Sequence, residues 1–501
     1  MKRHVEWLII CMIALLLILP LGCNGDTSSE GEKLYEQAKQ QYEQANYTQA
    51  AELFQEAREE LLAEGKDTEA ADCRVQLQNV EIITMSYPYS EEDVRELFAQ
   101  HFPDATQSEI DAWIADCEPE RRDIDGQSHY TDEVGMNLLY RNQDLFQTNP
   151  QLVEKYREGY QTLMEVINRT PPDESWQPYS NPITYLGTSA LDVPREELPQ
   201  SGLLQLWFSI PILTGPQPSV RVLSILPDDY VKDPPIFDSD MGMVYMEVPL
   251  EELEDDLQIE IQFTFDHYEQ RFEFGPDNVG EYDTGSDFYK EYTASRGNTE
   301  ITPEISETAH QVVGDETNPY LAAKKLYDYV VGNVYYGHLP HLAMWPRGEP
   351  ESVYVHEQRV GDCGAQCIYF TALCRAVGIP CRTTGGWQLI AGDFASHMWA
   401  EFYLPNYGWI PADTSVAQIP DYIPDLSEEE NKEFKDFLFG SQDHYRCVVQ
   451  TDMDLPLIPP ASEMVSIPMV NQYPEALCDT MEGVPGLVLS EYFSIHVQVA
   501  E

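Results

Sequence analysis

The stretch Gly361 to Arg382 sets the tightest limit on how this chain can fold. Residues 363–376 contain no helix breaker beyond Gly364 in the first turn, and Gly378 followed by Pro380 closes the run as a helix stop does. That pattern predicts a helix with Cys363 at its N-terminus, where unpaired backbone amides and the helix dipole favour a thiolate. The same amides can help hold a developing oxyanion. Ser396 to Leu404 follows, rich in aromatics, and reads as a strand with His397, Trp399, Glu401 and Tyr403 on one face. After the turn 405–408, Gly408-Trp409-Ile410-Pro411-Ala412-Asp413 reads as a second strand. A hairpin with an odd-numbered loop, or with a bulge, brings Asp413 to the side of His397. Asp413 would then accept from the imidazole, orient it and stabilise its charged form. His397 would take the proton of Cys363 and return it to a leaving amine.

Taken together, Gly-x-Cys, a helix, Arg375-Ala376-Val377-Gly378-Ile379-Pro380-Cys381-Arg382, then His397-Met398-Trp399-Ala400-Glu401-Phe402-Tyr403, then Gly408 to Asp413 resembles the transglutaminase-like core of the papain-like cysteine-protease superfamily. The resemblance covers residues of about 300–416, about a quarter of the chain. It implies an α+β fold class with a papain-like core, and it implies Cys363 as nucleophile, His397 as general base and Asp413 as the orienting acid, with no cofactor and no metal. Thr302 to Val330 is similar to the helical segment that precedes this core in exported prokaryotic members. Cys381 stands where the family often has Ala or Val, and Cys367 where it has a small residue. Animal transglutaminases place an oxyanion-donating Trp upstream of the nucleophile. The candidates for that role here are Trp345, Tyr336 and Tyr335. The calcium-binding and barrel domains of the animal enzymes are not recognisable.

The rest of the chain frames that core. Lys2-Arg3, the uncharged apolar run Trp7 to Leu21 and the step Gly22-Cys23 resemble an export signal of lipoprotein type over 1–22, with Cys23 as the lipidation site and 23–31 as a polar tether. An extracytoplasmic protein held to the membrane through Cys23 follows from that reading. The apolar run is about 15 residues, short of the roughly 20 needed to span a bilayer. Residues 32–172 read as helical, with helix starts at Ser90 and Ser108 and one tetratricopeptide-like hairpin carried by Ala38, Ala50, Phe54 and Ala57. From 175 to 295 alternating and β-branched runs predict a β-sandwich-like domain of six to eight strands. Residues 417–501 read as an irregular C-terminal extension with one strand at 492–499.

Charge and cysteine usage limit the partners. With 29 Lys+Arg against 87 Asp+Glu the formal net charge is −58, a surface that repels phosphate backbones, so nucleic acid is excluded as a partner. Cys367 and Cys374 share a helical face with Cys363, but no histidine joins them at ligand spacing, so they read as small buried apolar groups. His338, His341 and His356 match no metal-site spacing and read as loop or surface residues. The expectation is an exported, cysteine-dependent enzyme of amide bonds, a peptidase or an acyl transferase, acting on a protein or peptide such as an envelope peptide through a thioester at Cys363. The alternative is a non-catalytic envelope lipoprotein that uses the papain-like cleft to bind peptides or proteins.

Overall fold

The N-terminal helices begin earlier than the sequence suggests. In the computed structural model, which describes residues 28–169, 178–272, 278–344, 349–390, 393–461, 469–481 and 483–500, a helix starts at Glu30 inside the expected tether. Ser29 caps it, with Glu32 reaching back to close a capping box, so two otherwise orphaned amides are satisfied. The signal 1–22 and Cys23 lie outside the described residues. Helices Glu30–Glu43 and Tyr47–Ala63 pack with Ala38, Ala50 and Phe54 buried at their crossing, and Tyr35 meets Phe54 edge-on. A third helix, Asp67–Ser86, covers the pair and carries Ile82 and Ile83 onto a neighbouring cluster. Helices Glu91–His101 and Gln107–Asp116 follow. The first is capped by Ser90 as expected. The second is capped by Thr106, whose side chain takes Glu109 N–H, rather than by Ser108. A small antiparallel sheet, Tyr89–Ser90, Gln127–Tyr130 and Arg121–Ile124, interrupts the helical region, which ends on Pro150–Ile167.

Two antiparallel sheets then share one core. Strands Tyr179–Val193 and Leu257–Arg271 pair along nearly their whole length, and Ser219–Leu226 adds to the second of them. Leu203–Ser209 pairs with Met243–Pro249 in the other sheet. Leu191, Ile259, Phe263 and Phe265 of the first sheet meet Leu204, Leu206, Phe208 and Met246 of the second. The strict alternation seen in Ile259 to Phe265 buries one face and leaves the other partly wet. Five strands lie in 178–272, fewer than the six to eight expected, because the sheets are completed from elsewhere. The extension after 416 supplies Ser441–Gln442 and Phe493–Val499 to the first sheet and Glu475–Leu477 to the second. That segment is therefore woven into the fold and is not an irregular tail.

The remaining core is a helix on a sheet. Pro303–Val313, Pro319–Asn333 and Glu351–Gln358 surround the helix Cys363–Ala376, in which Gly364 to Arg375 are all buried. Its sheet runs in the order Gly408–Ala412, Asp393–Leu404, Cys381–Ile390, Arg446–Thr451. The last strand comes from beyond 416, so the sheet extends past the limit that the sequence motifs suggest. Ile368 on the helix and Trp387, Met398 and Cys447 on the strands pack directly against the core of the two β-sheets.

Candidate active site

Asp362 and Gly364 decide where the Cys363 thiol sits. Asp362 Oδ1 accepts the N–H of Ala365 at 3.1 Å and caps the helix, so Cys363 is its first residue. A Cβ at Gly364 would lie 2.9 Å from Met398 Sδ, so glycine lets the strand carrying His397 approach the helix closely. Cys363 is half-buried at the mouth of a cavity. Burial, then the negative charge of Asp362, push its thiol well above the usual range, while backbone hydrogen bonds from Met398 and Gly364 act in the opposite direction. The helix N-terminus therefore does not by itself yield a resting thiolate.

Parity in a hairpin brings the other two residues together. Leu404 pairs with Gly408 across a three-residue loop, so the ladder runs Ala400 to Ala412 and places Asp413 in register opposite Trp399, on the face of His397. His397 Nε2 and Asp413 Oδ2 are 2.8 Å apart. Both side chains are buried. Asp413 also accepts from Val416 N–H at 3.1 Å, from the Ser415 hydroxyl at 3.3 Å, and from Arg446 Nη1 at 2.8 Å. Burial disfavours the charge on Asp413, but His397 and Arg446 outweigh it and hold the carboxyl well below the ordinary range.

The motifs do not reveal Arg446. It is fully buried, donates to Asp443 at 2.8 Å as well as to Asp413, and lies over the Trp399 ring, 5.2 Å from its centroid. Trp399 in turn stacks against His397 with centroids 6.0 Å apart. The imidazole is thus fixed in plane by a ring and in direction by a carboxylate, and the carboxylate by an arginine. Gly386, opposite His397, permits this: a Cβ there would stand 1.9 Å from the Cys447 carbonyl oxygen, which blocks the strand that brings in Arg446.

Cys363 and His397 share a cavity of about 620 Å³. Tyr336, His341 and Asp362 line it with them, and Gln472, Tyr473 and Glu475 form its wall from the C-terminal extension. A second cavity of about 290 Å³ opens from the same pair, walled by Tyr140, Lys155 and Tyr156 of the helical region. A depression of similar size among the N-terminal helices, about 610 Å³, is lined by Glu32, Glu36, Glu69 and Asp72 and carries neither cysteine nor histidine, so the cysteine chemistry belongs to the Cys363 cleft. Of the three oxyanion candidates, Tyr336 lines both cavities, Tyr335 is 55% exposed and lines neither, and Trp345 lies outside the described residues. Burial keeps the Tyr336 phenol protonated, as a hydrogen-bond donor.

His341 departs from its expected place on the surface. Its Nδ1 lies 2.5 Å from Glu351 Oε1 and its Nε2 2.6 Å from Asp362 Oδ2. No spacing in the sequence signals this, because the partners are 10 and 21 residues away and other charged residues, Arg347, Glu349, Glu357 and Arg359, lie between them. His338 and His356 are half-buried rather than on the surface, one packing edge-on against Tyr336 at the cavity wall, the other within the helix Glu351–Gln358 at the Tyr369 hydroxyl. Cys367, Cys374 and Cys381 are fully buried, and among the described residues no group of three or more His, Cys, Asp or Glu is arranged to hold a metal ion.

Comparison with known proteins places residues 306–414 in the transglutaminase-like superfamily. An uncharacterized protein of Haemophilus influenzae is 29% identical over 166 residues, 27% of this chain and 43% of that protein. A protein-glutamine gamma-glutamyltransferase of Pseudomonas aeruginosa is 28% identical over 80 residues, 14% of this chain and 12% of that one. The chain thus spans less than half the length of either curated relative. Among solved structures, a candidate cysteine protease from Cytophaga hutchinsonii aligns over 64% of this chain and 92% of its own, with 13% identity and a TM-score of 0.39. The periplasmic domain of TgpA from Pseudomonas aeruginosa aligns over 51% and 92%, with 12% identity and a TM-score of 0.24.

Proposed function

We propose that this chain, whose residues 306–414 form a transglutaminase-like domain, is an exported cysteine enzyme of amide bonds that works through Cys363, His397 and Asp413. The observation that carries the reading is the His397–Asp413 hydrogen bond of 2.8 Å in a cleft shared with Cys363. Asp413 occupies Nε2, which leaves Nδ1 as the nitrogen for the thiol. His397 takes the Cys363 proton as sulfur attacks the amide carbonyl carbon. The C–S bond forms, the C–N bond breaks, and the same proton leaves with the amine. Water or a second amine then opens the thioester, giving hydrolysis or acyl transfer. Tyr336 is the candidate donor to the developing oxyanion.

Two cavities meet at Cys363, one walled by the extension and the other by the helical region, which suits an extended protein or peptide chain, an envelope peptide in the exported reading. Export and lipidation at Cys23 rest on Lys2-Arg3, the apolar run 7–21 and Gly22-Cys23. Among the described residues no helix is long and apolar enough to cross a membrane. The test is site-resolved alkylation of Cys363 from pH 5 to 9 under mild reductant, in the parent and in His397→Ala. The expected result is a Cys363 rate that depends on His397 and falls near neutral pH in His397→Ala, because the imidazole takes the proton as the sulfur reacts. A Cys363 rate that is the same with and without His397 would leave the cleft as a binding site only.

A further inference from the structure

His341 opens the short helix His341–Met344 at the wall of the Cys363 cavity, and both of its ring nitrogens are engaged by carboxylates. Nδ1 faces Glu351 Oε1 at 2.5 Å and Nε2 faces Asp362 Oδ2 at 2.6 Å, with Glu351 fully buried and Asp362 nearly so. The same Asp362 gives its other oxygen to the helix cap at Ala365 and accepts Leu339 N–H at 3.4 Å. One carboxylate is therefore shared between the imidazole and the N-terminus of the nucleophile helix, one residue from the sulfur.

A neutral imidazole has one N–H and one lone pair, so it can donate to only one of two carboxylates. An imidazolium donates to both. With both nitrogens occupied, His341 has none left to exchange a proton with a substrate, so its effect must pass through Asp362. An anion beside a thiol opposes the thiolate, and Asp362 is the largest charge acting against Cys363.

We infer that His341 is a positioning residue for the nucleophile: clamped as an imidazolium between Glu351 and Asp362, it offsets part of the charge of the cap carboxylate, so that the helix N-terminus acts on Cys363 less opposed by its own cap. The inference rests on the cysteine-enzyme reading above. Burial alone would strip the proton from His341, but the two carboxylates outweigh it and hold the imidazolium well above the ordinary range. Burial pushes Glu351 up in spite of His341, while His341 and the Ala365 amide hold Asp362 down against burial. The other charged or titratable groups near this trio include His338 and Tyr336, which interact with Asp362, and Asp454, which acts on Glu351. His397 and Asp413, with Arg446 behind, face Cys363 from the sheet, and Glu133 and Glu475 line the cavity.

The test is the pH dependence of iodoacetamide alkylation at Cys363 in the full chain, compared among parent, His341→Gln and the double variant His341→Gln/Asp362→Asn. The expected result for His341→Gln is an inflection moved up by about one pH unit and a rate near neutrality about tenfold lower, with the alkaline plateau unchanged. Asn at 362 keeps a capping oxygen but no charge, so the double variant is expected to recover the parent inflection. A merely structural role would alter the plateau or the melting temperature and would not be rescued by removing the opposing charge. A folded His341→Gln with the parent inflection, or a double variant that fails to recover it, overturns the inference. Where His341→Gln does not fold, Glu351→Gln decides: loss of one carboxylate should lower the pH at which the His341 C2–H proton signal titrates, and an unchanged titration overturns the clamp. A parent Cys363 that lacks His397-dependent reactivity overturns the enzyme reading and this inference with it. Such reactivity in the parent, matched by His341→Gln, overturns this inference alone.

Discussion

Of the three histidines that line the cavity beside Cys363, His341 and His397 are held by carboxylates in opposite ways. His397 meets a single carboxylate through Nε2, and that carboxylate is itself pinned by Arg446. One ring nitrogen is thereby committed and the other left for chemistry. His341 meets two carboxylates, one at each nitrogen, and is left with nothing to give. The same side chain serves as a base in the first setting and as a fixed positive charge in the second. Proximity to the nucleophile does not separate the two roles; the number of ring nitrogens already engaged does.

The largest effect that tests this contrast is loss of the base. Cys363→Ala or His397→Ala should lower kcat/KM on any amide or ester substrate by about 10³–10⁴-fold, whereas His341→Gln should leave a measurable enzyme. Steady-state kinetics on the purified chain read the difference, and equal losses for the two histidines would break the comparison. Next in size is Arg446→Met. It leaves Asp413 and Asp443 buried without their cation, a change that costs about 3–5 kcal/mol when one partner of a buried pair is removed. Urea unfolding monitored by tryptophan fluorescence measures it, and a loss below about 1 kcal/mol would mean that solvent reaches the two carboxylates in the folded state.

Smaller again is Tyr336→Phe, which keeps the ring among Tyr140 and His338 but removes the hydroxyl. If that hydroxyl meets the oxyanion, kcat falls by about 10²-fold with little change in KM. A KM effect alone would assign Tyr336 to substrate contact. The smallest and most diagnostic effect is on stability against pH, because the two histidine sites have opposite signs. Asp413 is held low in the folded state, so its contribution is present above the unfolded carboxylate value of about 3.9 and is lost as pH falls through the folded value. His341 is held high, so its contribution is full below about pH 6.5 and is lost as pH rises through its raised folded value. Melting temperature against pH should therefore sag at the acid end in the parent and retain less alkaline decline in His341→Gln than in the parent.

Much of the site can be read from local pattern. The helix from Cys363 follows from an unbroken run with Gly378 and Pro380 at its end, and the meeting of His397 with Asp413 follows from the parity of the loop 405–407, because a strand alternates faces with a period of two. The cap at Ser90 was equally local, although at 106–109 the Thr beat the Ser two residues on, both being good caps. Arg446, His341 and the cavity walls were not legible. Arg446 sits 33 residues beyond Asp413 in a stretch that lacks a strand-like alternation because both faces of its strand are buried. His341 has ordinary loop neighbours in sequence, and only the fold sets Glu351 and Asp362 on either side of its ring.

The sequence by itself determined the short-range facts of the core: that 363–376 is a helix, where the thiol lies on it, and that a base and an acid fall on one face of a hairpin. These depend on rotation per residue and on turn length, and both are properties of a few consecutive amino acids. Tertiary structure alone decided the electrostatics of the cleft. The charge felt by Cys363 and Asp413 depends on which groups lie within a few ångströms in a low-dielectric interior, and those groups come from the segment before the nucleophile helix and from the strand that closes the sheet from beyond residue 416. No local pattern encodes a distance between residues that only the finished core brings together.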